Sequence, residues 1–165
     1  MPDGEPTRVL FVCLGNICRS PTAHGVFLSF VARAGLSDSV QVDSCGTGDW
    51  HVGSAPDARA IAEAAKRGHD LRALRARQVQ VSDFENYHYV LAMDNNNLDE
   101  LQALCPVPYA SRLGLLLDYA PELGVKEVPD PYYGGAKGFS QVLDLIETAC
   151  DGLVQAIKLR VRQGR

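Results

Sequence analysis

Residues 8–23 read RVLFVCLGNICRSPTA, and the fold is decided there. Residues 8–13 form a short run of apolar and β-branched side chains, the pattern of a strand buried on both faces of a sheet. The character then changes at LGNICRS, which contains Gly15 and Asn16, residue types that tolerate positive φ. Pro21 follows where the first turn of a helix would lie, a position at which its missing N–H would have no partner anyway. From there apolar residues recur at Ala23, Val26, Phe27, Phe30, Val31 and Ala34, a helical spacing, and Gly35 suits a stop. A strand, a tightly wound loop and a helix are expected in that order.

The same unit repeats in weaker form downstream. Residues 40–44 alternate apolar and polar side chains and are expected as a second strand; the Gly- and Ser-rich stretch 45–56 is expected as a loop. Residues 57–67 open with Asp57 and are rich in Ala and charge, which predicts a capped helix. Residues 87–92 (YHYVLA) predict a third strand, 95–104 a short helix ended by Pro106, and 111–117 a weak fourth strand. Residues 118–137 read as loop. From Phe139 to about Arg160 the apolar positions predict a long helix with a basic end, which suits the negative end of its dipole. Strands alternating with helices imply an α/β fold: a single-domain three-layer sandwich, with a four-stranded parallel sheet, helices on both faces and an anion-binding loop after the first strand. Residues 1–6 are expected to be a flexible N-terminal segment and 7–165 the domain. In such folds ligands collect at the carboxyl ends of strands, where Cys13 stands.

Composition narrows the function classes. The 165 residues are 46% hydrophobic and 22% charged, ordinary for one globular domain. A formal charge of −4 gives a nucleic-acid partner no bulk electrostatic support. The N-terminal residues lack the basic and apolar regions of a signal peptide, and no apolar run approaches the ~20 residues of a membrane span. Five cysteines, an odd number in a chain of this length, fit a reducing cytoplasm better than a disulfide framework. The four histidines show no metal-ligand spacing, so neither a metal nor a cofactor is expected.

Residues 13–20 have the form C-x5-R-S. A loop joining a strand end to a helix start can turn its N–H groups, from Leu14 through Ser20, towards an anion, with the helix dipole behind them. A cysteine facing that cradle is favoured as a thiolate nucleophile. Arg19 closes the cradle with a planar fork able to hold two phosphate oxygens. The Ser20 hydroxyl can hydrogen-bond the thiolate and help it leave. A nucleotide-type loop is absent, because no G-x-x-x-x-G-K-[ST] pattern occurs. Free cysteines are usually buried and inert, which is the reading taken for Cys45, Cys105 and Cys150.

Expelling an alkoxide or phenoxide needs a proton donor. Asp130, in VPDPYYGG (128–135), is the candidate. A plain Asp-Pro turn fits the same residues equally well. Tyr132 and Tyr133 favour the acid reading, because two aromatics on an exposed loop suit the wall of a cleft for an aryl group. Trp50 suits the opposite wall; a loop residue folded onto the core is its alternative.

With these motifs identified, the chain closely resembles the low-molecular-weight protein tyrosine phosphatase family over nearly its full length. The matching segments are VLFVCLGNICRSPTA (9–23), DSCGTGDWHVG (43–53), RARQV (75–79), VLAMDNNNL (90–98) and DPYYGG (130–135). The resemblance implies that Cys13 is the nucleophile, Arg19 the phosphate clamp and Asp130 the general acid. It further implies that Asn16 and Ser20 shape the loop, with Leu14, Gly15, Ile17 and Cys18 completing the phosphate-binding set. Trp50, Tyr132 and Tyr133 would line the cleft, and Ser44 would support the loop from the next strand. Cys18 matches a second loop cysteine that can pair reversibly with Cys13 on oxidation. One departure stands out: many relatives carry His where this chain has Leu74, so no histidine is given a catalytic role. The implied partners are phosphotyrosine-containing proteins, with a tyrosine kinase among the candidates.

Three other readings share the motif. Thioredoxin-coupled arsenate reductases need two further cysteines close together, and Cys105 and Cys150 are far apart in sequence. A phosphoarginine phosphatase would carry Thr after the loop Asn, where this chain has Ile17. A phosphotyrosine-binding module without turnover would not need Cys13 and Asp130, and both are present.

Overall fold

The computed structural model describes residues 5–132 and 135–163. Most of the N-terminal segment expected at 1–6, and Tyr133, lie outside the described residues. Strands β1 (Thr7–Cys13), β2 (Val40–Gly46), β3 (Tyr89–Ala92) and β4 (Leu113–Leu115) form one sheet in the order β2-β1-β3-β4. Every pairing is parallel; Phe11 lies opposite Ser44 on one side and Leu91 on the other. β1 is therefore central, and its unbroken apolar run is explained by burial on two faces. Val9, Phe11 and Cys13 join one core while Leu10 and Val12 join the other.

Among the described residues five α-helices flank the sheet: α1 (Arg19–Arg33), α2 (Ala58–Ala65), α3 (Val81–Asn86), α4 (Asn95–Leu104) and α5 (Ala136–Gln163). The larger core takes Val26, Phe27 and Val31 of α1, Ala60 and Ala64 of α2, and Val142, Ile146 and Leu153 of α5. The smaller core takes Phe84 of α3 and Leu101 of α4. The expected three layers and the four parallel strands are present.

Local chemistry explains where the helices stop and start. Gly35 has φ +72°, its N–H bonds Ala32 O, and the Leu36 N–H bonds Val31 O at 2.9 Å, so α1 ends in a Schellman turn. Asp57 caps α2, accepting the Arg59 N–H at 2.8 Å, and Asp94 caps α4, accepting the Asn97 N–H at 2.8 Å. β4 is shorter than the seven residues expected. The chain enters it from a 3-10 turn, Val107–Arg112, and leaves into another, Leu116–Tyr119, where the Asp118 carboxylate accepts the Leu115 N–H. The expected loop after β4 thus begins as 3-10 turns, and α5 starts three residues before Phe139.

α1 packs on β1 and β2, and α5 packs along α1. His24 of α1 is buried and its Nδ1 pairs with Ser44 Oγ of β2 at 3.0 Å; burial lowers its pKa and keeps the ring neutral. α5 crosses so close to the turn at Tyr119 that a Cβ on Gly152 would sit 1.9 Å from the Tyr119 carbonyl oxygen. That obstacle is backbone and cannot rotate away. Gly152→Ala should therefore destabilise the fold by about 1–3 kcal/mol, as overpacking does, read as a lower urea midpoint with an unchanged slope.

Candidate active site

The loop between β1 and α1 is wound by Asn16, which has φ +58° and is the one non-glycine residue with positive φ among those described. Its side chain holds the turn from inside. Asn16 Oδ1 accepts the Arg77 N–H at 3.0 Å, and Asn16 Nδ2 donates to Ser20 Oγ at 2.8 Å. Asn16 and Ser20 are buried behind the loop and do not line the cavity. Leu74 packs partly buried against the larger core, and a backbone amide, that of Arg77, fastens Asn16. Gly46, at the end of β2, completes the seat: a Cβ there would meet Leu14 O at 2.6 Å and Asn16 N at 3.2 Å.

Cys13 lies at the floor. Its Sγ receives the Asn16 N–H at 3.3 Å and lies 3.0 Å from Ser20 Oγ. Ser20 Oγ also donates towards Cys45 O at 3.3 Å, so the neighbouring strand does support the loop, through a main-chain carbonyl. The expected support from Ser44 is indirect, because its hydroxyl faces His24. The sulfur therefore stands at the N-terminal end of α1, where the helix dipole favours negative charge.

Arg19, in the first turn of α1, is 3% exposed. Its Nη1 donates to Asp94 Oδ2 at 2.6 Å and to Val128 O at 3.0 Å. A buried guanidinium held by one carboxylate and one carbonyl is fixed in position. Asp94 thus caps α4 with one oxygen and grips Arg19 with the other. The only sequence signal for this role of Asp94 is an Asp placed just after a strand, ahead of a helix.

An open cavity of about 380 Å³ rises from Cys13. Leu14, Gly15, Ile17, Cys18 and Arg19 form its base, and Trp50, His51, Asp130 and Tyr132 its walls. The sheet thus brings together every expected cleft residue within the described chain. Trp50 is 70% exposed and stands on the rim; a Cβ on Gly48 would collide with its ring, so the indole lies across that glycine. The folded-back alternative for Trp50 does not hold. His51 was not anticipated, and its ring carbon lies 3.0 Å from where a Gly15 Cβ would be. Asp130 Oδ1 accepts the Tyr132 N–H at 3.0 Å, and Asp130 Oδ2 lies 3.9 Å from Arg19 Nη2.

Burial, assisted by Asp57, pushes the Cys18 thiol up to about 12. Burial also raises Cys45 and Cys150 well above the ordinary thiol value. Cys105 packs against the smaller core and Cys150 belongs to the larger one, so they lie on opposite faces of the sheet and form no relay pair.

The chain is similar to known proteins in sequence and in fold. The family model for low molecular weight phosphotyrosine protein phosphatase matches residues 8–163. A low molecular weight protein-tyrosine-phosphatase of Streptomyces coelicolor is 45% identical over 161 residues, covering 96% of this chain and 97% of its own. A low molecular weight phosphotyrosine protein phosphatase of Schizosaccharomyces pombe is 47% identical over 133 residues, covering 80% and 85%. A crystal structure of protein tyrosine phosphatase from Entamoeba histolytica, with Hepes in the active site, superposes with a TM-score of 0.89 at 40% identity, covering 92% of this chain and 97% of that one.

A thiol with a pKa near 12 is almost wholly protonated at neutral pH, and its reactive fraction grows as pH rises towards that value. Iodoacetamide at neutral pH should therefore leave the Cys18 sulfur unmodified, with Cys18 labelling climbing only in strong alkali, while Cys13, on the floor of the open cavity at the N-terminal end of α1, is the sulfur expected to react. Peptide mapping that finds both labelled equally at neutral pH contradicts this assignment.

Proposed function

The chain belongs to the low-molecular-weight phosphotyrosine protein phosphatase family, and from that premise we propose which of its residues carry the hydrolysis of protein phosphotyrosine and how. The substrate phosphate enters the cavity and sits on the amides of Leu14 through Ser20, with two of its oxygens on Arg19. The Cys13 thiolate attacks phosphorus in line. As the S–P bond forms and the P–O bond breaks, the Asp130 carboxyl gives its proton to the departing tyrosyl oxygen. In the second step Asp130, now a carboxylate, takes a proton from water. The water oxygen attacks phosphorus, the S–P bond breaks, and Ser20 receives the returning thiolate through its hydroxyl. The loop amides and Arg19 hold the equatorial oxygens throughout, so fixed dipoles and positioning supply most of the acceleration.

The observation that carries this reading is the placement of Asp130 in the wall of the cavity whose floor is Cys13, with Arg19 in its base and 3.9 Å from the Asp130 carboxylate. A carboxylate 46% exposed at the mouth can exchange protons with solvent between the two steps. Trp50 and Tyr132 give the phenyl ring two aromatic walls, and Tyr133 is proposed to join them. Ile17 in the base is apolar and favours a phenyl ring over a guanidinium. The Hepes in the Entamoeba relative's active site is a sulfonate, and its tetrahedral anion is comparable to the phosphoryl group. Cys18, lining the same base, is proposed as the partner that protects Cys13 as a reversible disulfide under oxidation.

No helix among the described residues is long and apolar enough to cross a membrane. We place the enzyme in the cytoplasm, where the catalytic thiol stays reduced, and a tyrosine kinase carrying its own phosphotyrosines among its substrates.

Asp130→Ala should lower kcat/KM on a phosphotyrosine peptide by about 10²–10⁴-fold, the usual worth of a positioned acid. The loss should be much smaller with p-nitrophenyl phosphate, whose leaving group needs little help. Equal losses on the two substrates would remove Asp130 from the acid role.

A further inference from the structure

The acid loop, which carries Asp130, and the phosphate loop are far apart in sequence, yet the reaction needs them in fixed register. A hydrogen-bonded connection joins them through the start of α2. The Asp57 N–H donates to Ile17 O of the phosphate loop at 2.8 Å. The Asp57 carboxylate takes the Arg59 side chain in a two-point grip, Nε to Oδ1 at 3.0 Å and Nη2 to Oδ2 at 2.9 Å. Arg59 Nη2 then donates to the Tyr132 carbonyl at 2.9 Å, and the Tyr132 N–H donates to Asp130 Oδ1 at 3.0 Å. The Arg59 guanidinium also lies 5.6 Å from the centre of the Tyr132 ring and 4.7 Å from that of Phe139, at the start of α5. Arg59 thus touches Tyr132 of the acid loop and Phe139 of α5.

We propose that Arg59 is a positioning residue for the general acid: braced by Asp57 on the phosphate loop, it holds the Tyr132 peptide so that Asp130 faces the leaving group. The proposal rests on Asp130 being that acid. The brace needs a planar fork, since one guanidinium must satisfy a carboxylate edge-on and a carbonyl beyond it, and stack on rings. An ammonium on a flexible stem supplies one point charge and cannot do all three. The Asp57 carboxyl is held below the usual carboxylate range chiefly by its hydrogen bond to Arg59, so the brace is charged on both sides at neutral pH.

The test compares kcat/KM for a phosphotyrosine peptide and for p-nitrophenyl phosphate in Arg59→Ala, Asp130→Ala and the double variant. Misplacing a catalytic group by about 1 Å can cost about 10²-fold, so a loss of about ten- to 10²-fold on phosphotyrosine is expected for Arg59→Ala. The loss on p-nitrophenyl phosphate should be much smaller, and the double variant should be no slower than Asp130→Ala alone. Arg59→Lys should recover little of the lost rate, and it carries the same comparison if the alanine variant does not fold. Equal losses on both substrates, or losses that multiply in the double variant, would overturn the proposal. If Asp130→Ala itself shows no dependence on the leaving group, the acid assignment fails first and the brace fails with it.

Discussion

The site depends on one strained residue held from within. Asn16 takes a left-handed backbone conformation, which side chains other than glycine seldom adopt, and spends both ends of its amide on keeping it. One end reaches Arg77 after α2; the other reaches the Ser20 hydroxyl at the start of α1. The Asn16 N–H, turned inward by that conformation, meets the Cys13 sulfur. A glycine here would take the same φ more easily but would leave the Ser20 hydroxyl and the Arg77 amide without this partner. The turn is therefore specified by hydrogen bonding, and the cradle is preorganised before any phosphate arrives.

Everything else in the fold fixes the surroundings of that turn. β1 is central, so the loop leaves the middle of the sheet with a neighbouring strand on each side. β2 contributes Gly46, whose missing side chain lets its backbone lie against the loop, and the Cys45 carbonyl that receives Ser20. β3 delivers Asp94 to Arg19. Breaking a buried ion pair of this kind typically costs about 3–5 kcal/mol, because it leaves a charge without its partner. Arg19, proposed as the phosphate clamp, thus also ties α1 to α4. The site is rigid at its floor and open at its mouth, where Trp50 and Tyr132 stand exposed.

Much of this was legible in the chain itself. Residues 8–13 read as a strand buried on two faces, and they are one; Gly35 read as a helix stop, and it forms the Schellman turn. Asp57 read as a cap, and it caps α2. The six residues of α3 were not read, because the helix is too short to show an apolar period and its N-cap, Gln80, is not a residue type that signals a start. Asp83 does close back on the Gln80 N–H at 2.8 Å, but an isolated Asp gives little sequence signal. β4 was read too long because the apolar run 113–117 continues into a 3-10 turn that only the Asp118 hydrogen bond reveals. Asp94 and Arg59 were invisible as site residues for a different reason. Their partners, Arg19 and Tyr132, lie more than 70 residues away in sequence, and only the assembled sheet brings them together.

The central claim is that Cys13 carries the phosphoryl group between the two steps. Rapid acid quenching of the enzyme during turnover of a phosphotyrosine peptide, followed by peptide mass mapping, tests it most directly. A phosphate-sized mass increase on the peptide containing Cys13, absent in Cys13→Ser and gone once substrate is exhausted, is the predicted result. Steady turnover with no phosphorylated peptide at any quench time, or with the phosphate on a different residue, would contradict the account.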